Sequence, residues 1–339
     1  MARTRSTDAE ALLEAAGRGD RAAVARLLTL VEQGGDPAAT VDRLAFGRSG
    51  GAPTVGFTGS PGAGKSTLVS ALLHRARADG RRVGVLAIDP SSPFTGGAIL
   101  GDRVRMGDHA LDEGVFIRSM ATRGHLGGLA VATPQAARLL DAVGYDLVLI
   151  ETVGVGQVEV EVAGEADLTV VVVNPGWGDS VQANKAGLME IADVFVINKA
   201  DRPGVDATRR DLDQMLELSS GPARPGSTDQ GDAWRPPIVA TVATATVGDG
   251  PVGPGGEVGH GLEELWATLR LTLDRLADSG EAERRRQLRL GSELERVVAA
   301  RLAERVVELS SGETYETVRA EVLARRLAPW DAADRLVGA

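Results

Sequence analysis

The chain has 339 residues, 43% of them hydrophobic and 25% charged, the composition of a globular protein with one large or two ordinary domains and a sizeable buried core. A net charge of −10 argues against a nucleic-acid-binding surface, and the absence of cysteine excludes disulfides, thiolate metal sites and a cysteine nucleophile. Apolar runs fall short of the roughly 18 residues that mark a membrane span, and MARTRSTDAE lacks the apolar core of a secretory leader, so the expectation is a cytoplasmic protein with no membrane partner.

Asp8 to Val31 reads as helical. Leu12, Leu13 and Ala16 lead to Gly19-Asp20, after which Val24, Leu27, Leu28 and Val31 repeat at three- and four-residue spacing. Two short helices are expected, within an N-terminal helical extension over residues 1–50. Past the glycine-rich stretch Gly47–Gly51 the texture changes. Short apolar β-rich runs at Thr54–Thr58, Arg82–Ile88, Gly114–Arg118, Asp146–Glu151, Leu168–Val173, Val194–Asn198 and Ile238–Val242 alternate with helical segments. Uniformly apolar strands separated by helices imply an α/β fold whose parallel sheet is covered on both faces, here over residues 51–278. Segments 219–237 and 246–260 read as surface loops from their Gly, Pro, Ser and Asp content. Beyond Gly261 only helical patterns remain, and residues 279–339 are expected to form a helical packing or dimerisation arm.

The first expected strand runs into Gly59-Ser60-Pro61-Gly62-Ala63-Gly64-Lys65-Ser66, followed by a helical run from Thr67. This is G-x4-G-K-[ST] in the strand–loop–helix setting it requires. Glycines let backbone amides curl around phosphates, and the helix N-terminus adds the positive end of its dipole. Lys65 is expected to reach the β- and γ-phosphates and Ser66 to ligate Mg²⁺. Asn198-Lys199-Ala200-Asp201 ends a later strand, and an Asp there accepts hydrogen bonds from guanine N1–H and N2–H₂, donors that adenine lacks. Asp89 ends the second strand, Asp102 follows in TGGAILGDRVRM, and Glu151 ends the fourth. Carboxylates at neighbouring strand tips supply the hard oxygens that Mg²⁺ takes. Glu151-Thr-Val-Gly154 occupies the place of the D-x-x-G of many GTPases, and the longer Glu side chain favours a water-bridged metal contact. Arg105, one turn past Asp102, is placed to address a phosphate. The four histidines show no metal-site spacing.

Of the 37 basic residues only Lys65, Lys185 and Lys199 are lysines. In a chain that uses arginine wherever charge suffices, lysine is expected where a compact ammonium on a flexible stem is needed. Two of the three stand in nucleotide motifs, which marks Lys185 as a functional candidate.

Together GSPGAGKST, AIDPSSPFTGGAILGDRVRM, SMATRGHLGGLA, ETVGVGQVEVE, NPGWGDSVQANKAG, NKAD and the terminal APWDAADRL resemble the MeaB/ArgK-type GTPases, relatives of the human methylmalonic aciduria type A protein. The resemblance implies a P-loop NTPase fold of the SIMIBI class with a C-terminal dimerisation arm, hence a homodimer. It implies GTP or GDP held by Gly59, Pro61, Gly62, Ala63, Gly64, Lys65, Ser66 and Thr67, with Arg105 and Gly154 near the phosphates and Asn198, Lys199, Asp201, Val242 and Ala243 around guanine. Mg²⁺ falls to Ser66, Asp89, Asp102 and Glu151. Catalysis falls to Lys65, Glu151 and the third switch stretch Asp179–Lys185, including Gln182, which becomes ordered against the partner and brings a lysine to the phosphates. The implied partner is adenosylcobalamin-dependent methylmalonyl-CoA mutase, which such a GTPase protects while gating cofactor loading or exchange. Two features depart from the pattern. The usual serine-alanine guanine loop reads Val242-Ala243, so its backbone alone can serve, and GDGPVGPGGEVGHG (248–261) has no assigned role. A metallochaperone-type GTPase that loads nickel would need a His/Cys relay that this chain lacks. An ATPase coupled to amino-acid transport is opposed by NKAD, and a nucleotide-sensing scaffold for another acyl-CoA mutase stays open.

Overall fold

The computed structural model describes residues 8–90, 109, 111–122, 128–152, 165–177, 182–219, 235–244 and 261–338; within these, the side chains of 89, 90, 121, 122, 128–131, 182–186 and 219 are not described. Contacts divide the chain into two compact units, residues 1–289 and 290–339.

The first unit is built on seven parallel strands: β1 (Thr54–Gly59), β2 (Val83–Pro90), β3 (Val115–Thr122), β4 (Leu147–Thr152), β5 (Leu168–Val173), β6 (Val194–Asn198) and β7 (Ile238–Thr241), in the order β3-β2-β4-β1-β5-β6-β7. All seven expected strands are present. β4 and β5 are buried at every position, as strands covered on both faces must be. Side chains alternate between two sets of helices. Val55, Phe57, Leu149, Val170 and Val172 join a core with Leu68 and Leu72 of α4 (Lys65–Ala78) and, from the later helix α8 (Leu262–Asp278), Leu265 and Leu269. Leu86, Ile88, Val148 and Ile150 face the other way, onto α5 (Gly128–Ala142). Val171, Val173, Phe195 and Ile197 share a core with Leu188 of α6 (Gln182–Ile191) and Leu212 of α7 (Val205–Ser219).

The N-terminal extension contains three helices where the spacing predicts two: α1 (Ala9–Gly17), α2 (Arg21–Gln33) and α3 (Gly35–Phe46). Asp8 and Asp20 cap the first two by accepting hydrogen bonds from first-turn amides, such as Ala22 N at 2.8 Å. The third begins at Gly35-Asp36-Pro37, a sequence that reads as a turn until Pro37 is placed in the first helical turn, where its missing N–H costs nothing. Leu13, Leu27, Leu28 and Val41 are buried in the same core as Leu86 and Ile150. Each such side chain contributes about 1.5–3 kcal/mol, so the extension completes one face of the sheet. Arg118–Glu32 (2.6 Å) and Arg138–Asp42 (2.9 Å) fix it laterally.

α9 (Glu281–Leu309) starts within this unit. Arg285 pairs with Asp193 at 2.9 Å and Arg289 with Asp167, two carboxylates buried at the starts of β6 and β5. In the second unit α10 (Gly312–Leu323) and α11 (Pro329–Val337) pack together, with Val318 and Ala332 buried. The later part of α9 exposes Leu294, Val298, Leu302 and Val306 at four-residue spacing. No helix among the described residues is long and apolar enough to cross a membrane.

Candidate functional site

β1 ends at Gly59, whose φ of 135° and position leave no room for a side chain: a Cβ there would lie 1.9 Å from the Val172 carbonyl oxygen of the neighbouring β5. The chain then turns through Ser60, exposed Pro61 and Gly62, and Gly64 caps α4 in the left-handed region with φ 93°. No side chain caps this helix, and its first turn holds no acidic residue. This helix start, with Lys65, Ser66 and Thr67 in its first turn, therefore presents the positive end of its dipole with no acidic side chain set against it.

The Lys65 side chain is buried, and its Nζ donates to Gly59 O at 2.8 Å and Ser60 O at 3.2 Å. An ammonium taken from water must be satisfied by such oxygens, and the loop carbonyls hold it beside the turn. Next to it, Ser66 Oγ donates to Glu151 Oε1 at 2.5 Å, with Glu151 1% exposed. Parallel pairing of Phe57 with Glu151 is what brings the tip of β4 beside the tip of β1. β2 pairs with β4 on its other side, Ala87 opposite Glu151, so the backbone of Asp89 ends the adjacent strand. The Ser66 hydroxyl and the Glu151 carboxylate in contact form a hard-oxygen donor pair. That pair fits Mg²⁺, which binds through one or two carboxylates plus water and phosphate oxygens.

β6 delivers the second motif on the other side of β5. Asn198 is buried and points into the first motif: its Nδ2 donates to Ala63 O at 2.8 Å, while its Oδ1 accepts from Ala243 N at 3.1 Å and Thr241 Oγ1 at 3.2 Å. Lys199, held at φ 61°, donates from Nζ to Gly62 O at 2.6 Å. Asp201 is exposed in the turn that follows. A Cβ on Gly64 would meet Asn198 Nδ2 at 2.4 Å, so glycine there is a condition of this stitching. Val242 and Ala243 follow β7, and the Ala243 amide serves Asn198.

The fold thus brings Gly59–Thr67, Glu151, Asn198, Lys199, Asp201, Val242 and Ala243 to one end of the sheet. Asp102, Arg105, Gly154 and Asp179 lie outside the described residues. Gln182 and Lys185 fall in the first half of α6, where only the backbone is described. What the spacing alone does not reveal is that Asn198 joins three segments. A buried asparagine at a strand end is the available signal, because such a side chain needs partners for both its oxygen and its amide.

Residues 24–311 match the protein family described as Methylmalonyl Co-A mutase-associated GTPase MeaB. The chain belongs to this family. Among MeaB relatives, a putative GTPase of Pyrococcus abyssi is 47% identical over 326 residues, spanning 96% of this chain and 95% of that protein. GTPase ArgK of Escherichia coli is 35% identical over 277 residues, 80% of this chain and 77% of that one. The mouse methylmalonic aciduria type A homolog, mitochondrial, is 34% identical over 286 residues, 84% of this chain and 65% of that one. Among solved structures, the crystal structure of an LAO/AO transport system kinase superposes with a TM-score of 0.65 at 26% identity, covering 97% of this chain and 96% of that one. The MeaB chain described here therefore has the P-loop GTPase fold that its motifs and family resemblance imply, with helical segments at both ends.

Proposed function

We propose that this chain hydrolyses GTP as a chaperone of an adenosylcobalamin-dependent methylmalonyl-CoA mutase, protecting the mutase and gating the loading or exchange of its cofactor. One observation carries the nucleotide reading: the phosphate-loop turn and the Asn198-Lys199 turn are cross-linked through Ala63 and Gly62, directly beside the Ser66–Glu151 pair. The mutase partner rests on membership of the mutase-associated family.

In this reading the α4 amides and Gly62–Thr67 cradle the phosphates, and Lys65 exchanges its loop carbonyls for β- and γ-phosphate oxygens. Asp201 accepts from the guanine edge, while Asn198 and Lys199 hold its turn against the loop. Ser66, Glu151, Asp89 and Asp102 hold Mg²⁺, which when bound neutralises charge developing on the phosphates. Arg105 addresses a phosphate, the Gly154 amide reports on the γ-phosphate, and Asp179, Gln182 and Lys185 are supplied from the third switch. Lys185 acts as an arginine finger does, a kind of charge worth about 10³–10⁵ in rate when a partner positions it. The protein works in the cytoplasm as a homodimer, paired through the apolar stripe Leu294–Val298–Leu302–Val306 of α9.

GTP turnover with and without the purified mutase tests the proposal. Stimulation in wild type that Lys185→Ala largely abolishes, with basal turnover and GTP affinity retained, is the expected result. Full stimulation of the variant would remove Lys185 from the mechanism, and no stimulation of wild type would remove the mutase.

A further inference from the structure

At the opposite end of the sheet a cavity of about 270 Å³ opens between α4, α8 and the first residues of β1 and β4. β1 runs from this cavity to the phosphate loop, about 20 Å away at roughly 3.3 Å per residue, so none of the nucleotide motifs lines it. Its walls are Val55, Leu72, Leu147, Leu149 and Leu269, all buried. Such walls offer a water molecule few partners, and an apolar body gains by displacing whatever solvent is there.

The rim has a different chemistry. Arg81, Arg270 and Asp274 line the cavity together with Trp266, so two guanidinium groups face one carboxylate. The Arg81 guanidinium lies over the Trp266 ring at 5.7 Å and has no carboxylate partner among the described residues. Asp79, beside the same indole, is already engaged: Trp266 Nε1 donates to it at 2.8 Å and Arg75 at 2.5 Å. Arg270 approaches Asp79 no closer than 4.0 Å. The indole that forms one wall is therefore fixed by Asp79, and among the described residues nothing claims the hydrogen-bonding edge of the cation resting on it. A planar guanidinium in that state takes a carboxylate or phosphate in bidentate fashion.

From this pairing of an apolar chamber with an uncommitted guanidinium at its mouth, we propose that the cavity is a second ligand site for a small aliphatic anion, a straight chain ending in a carboxylate or phosphate. The chain lies between Leu72 and Leu269 over β1 and β4, and the head group meets Arg81, with Arg270 beside it. The excess of positive charge at the rim excludes an aliphatic amine, and the apolar walls disfavour a compact polar anion such as inorganic phosphate.

Calorimetric titration of the full chain with butanoate, hexanoate, octanoate, octyl phosphate, octanol and inorganic phosphate tests this. Saturable one-site binding is expected for the alkyl anions, tightening about fourfold per added methylene until the chamber is full, with octanol at least tenfold weaker and inorganic phosphate silent. The ratio of octanoate to octyl phosphate distinguishes the two head groups. Arg81→Met should bring octanoate down to the level of octanol while leaving octanol unchanged, and Leu273→Trp, which fills the chamber, should abolish both without altering GTP binding. Should Leu273→Trp fail to fold, Arg81→Met, a change at the partly exposed rim, still decides the matter. Absence of saturable binding for every alkyl anion, or equal binding of octanoate and octanol by the wild type, would overturn the proposal.

Discussion

In the proposed function, base choice rests on Asp201. Its carboxylate stands exposed in the turn that Asn198 and Lys199 fasten to the phosphate loop. Asp201→Asn turns an acceptor into a donor facing guanine N1–H. Losing a charge-assisted pair of about 1.5–3 kcal/mol should weaken GTP by roughly 10- to 150-fold and make xanthosine triphosphate the better ligand in a binding titration; unchanged GTP affinity would remove Asp201 from the guanine site. Glycines of the loop separate by environment. Gly62 and Gly64 both have positive φ, but a Cβ on Gly62 meets nothing within 4 Å, whereas on Gly64 it lies 2.4 Å from Asn198 Nδ2. Gly62→Ala should cost only the backbone strain of about 1 kcal/mol. Gly64→Ala should in addition separate the two motifs, and nucleotide affinity should drop far more than in Gly62→Ala; equal losses would mean that the Asn198 contact contributes nothing. These motifs are legible in the sequence because their residue types are dictated by local backbone and phosphate chemistry. The contacts from Asn198 to Ala63 and Ala243 are not, since they depend on which strands lie side by side.

At the level of elements the strands were readable because a strand covered on both faces needs an unbroken apolar run, and Leu168–Val173 and Val194–Asn198 have one. α3 was not, because its first residues, Gly35-Asp36-Pro37, carry turn chemistry and only Ala38, Val41 and Ala45 mark its buried side. The start of α9 was legible, but how it is fastened to the sheet was not. Its anchoring depends on Arg285 and Arg289 reaching acids more than ninety residues away, which no local pattern encodes. Glu281 opens that helix with bonds from Arg284 at 2.7 Å and Arg285 at 2.9 Å. The Arg284 hydrogen bond, foremost, and Arg285 hold its carboxyl at about 2, below the ordinary 4.5. A carboxylate depressed in the folded state stabilises fully above 4.5, and that contribution fades as pH falls from there towards 2. The group is partly exposed, so solvent screening keeps the effect modest. Wild type should lose stability relative to Glu281→Gln across that acid window in urea melts; parallel curves would show that the pairing contributes nothing.

On the scale of the whole molecule, every described residue of the proposed nucleotide site lies in the unit 1–289, and residues 290–339 form the other. Cutting the chain after Arg289 should therefore leave GTP affinity unchanged and, with the Leu294–Val306 stripe gone, give a monomer by light scattering. Cutting before Glu281 instead strips Asp167 and Asp193 of their arginines. Leaving buried carboxylates unpaired costs about 3–5 kcal/mol each, so the shorter protein should melt well below the longer one; equal melting temperatures would mean that these pairs do not hold the unit together. A longer truncation that stays dimeric would place the interface elsewhere. The helical arm was expected from the sequence, but the apolar stripe on it is known only from the fold, which leaves Leu294, Val298, Leu302 and Val306 exposed. The central claim is that two motifs fastened together at one end of the sheet make a guanine-specific hydrolytic site. Its most direct test is steady-state turnover of GTP and of ATP by the purified chain with Mg²⁺ present: GTP hydrolysed and ATP neither bound nor hydrolysed is the predicted result, and equal turnover of the two nucleotides would contradict it.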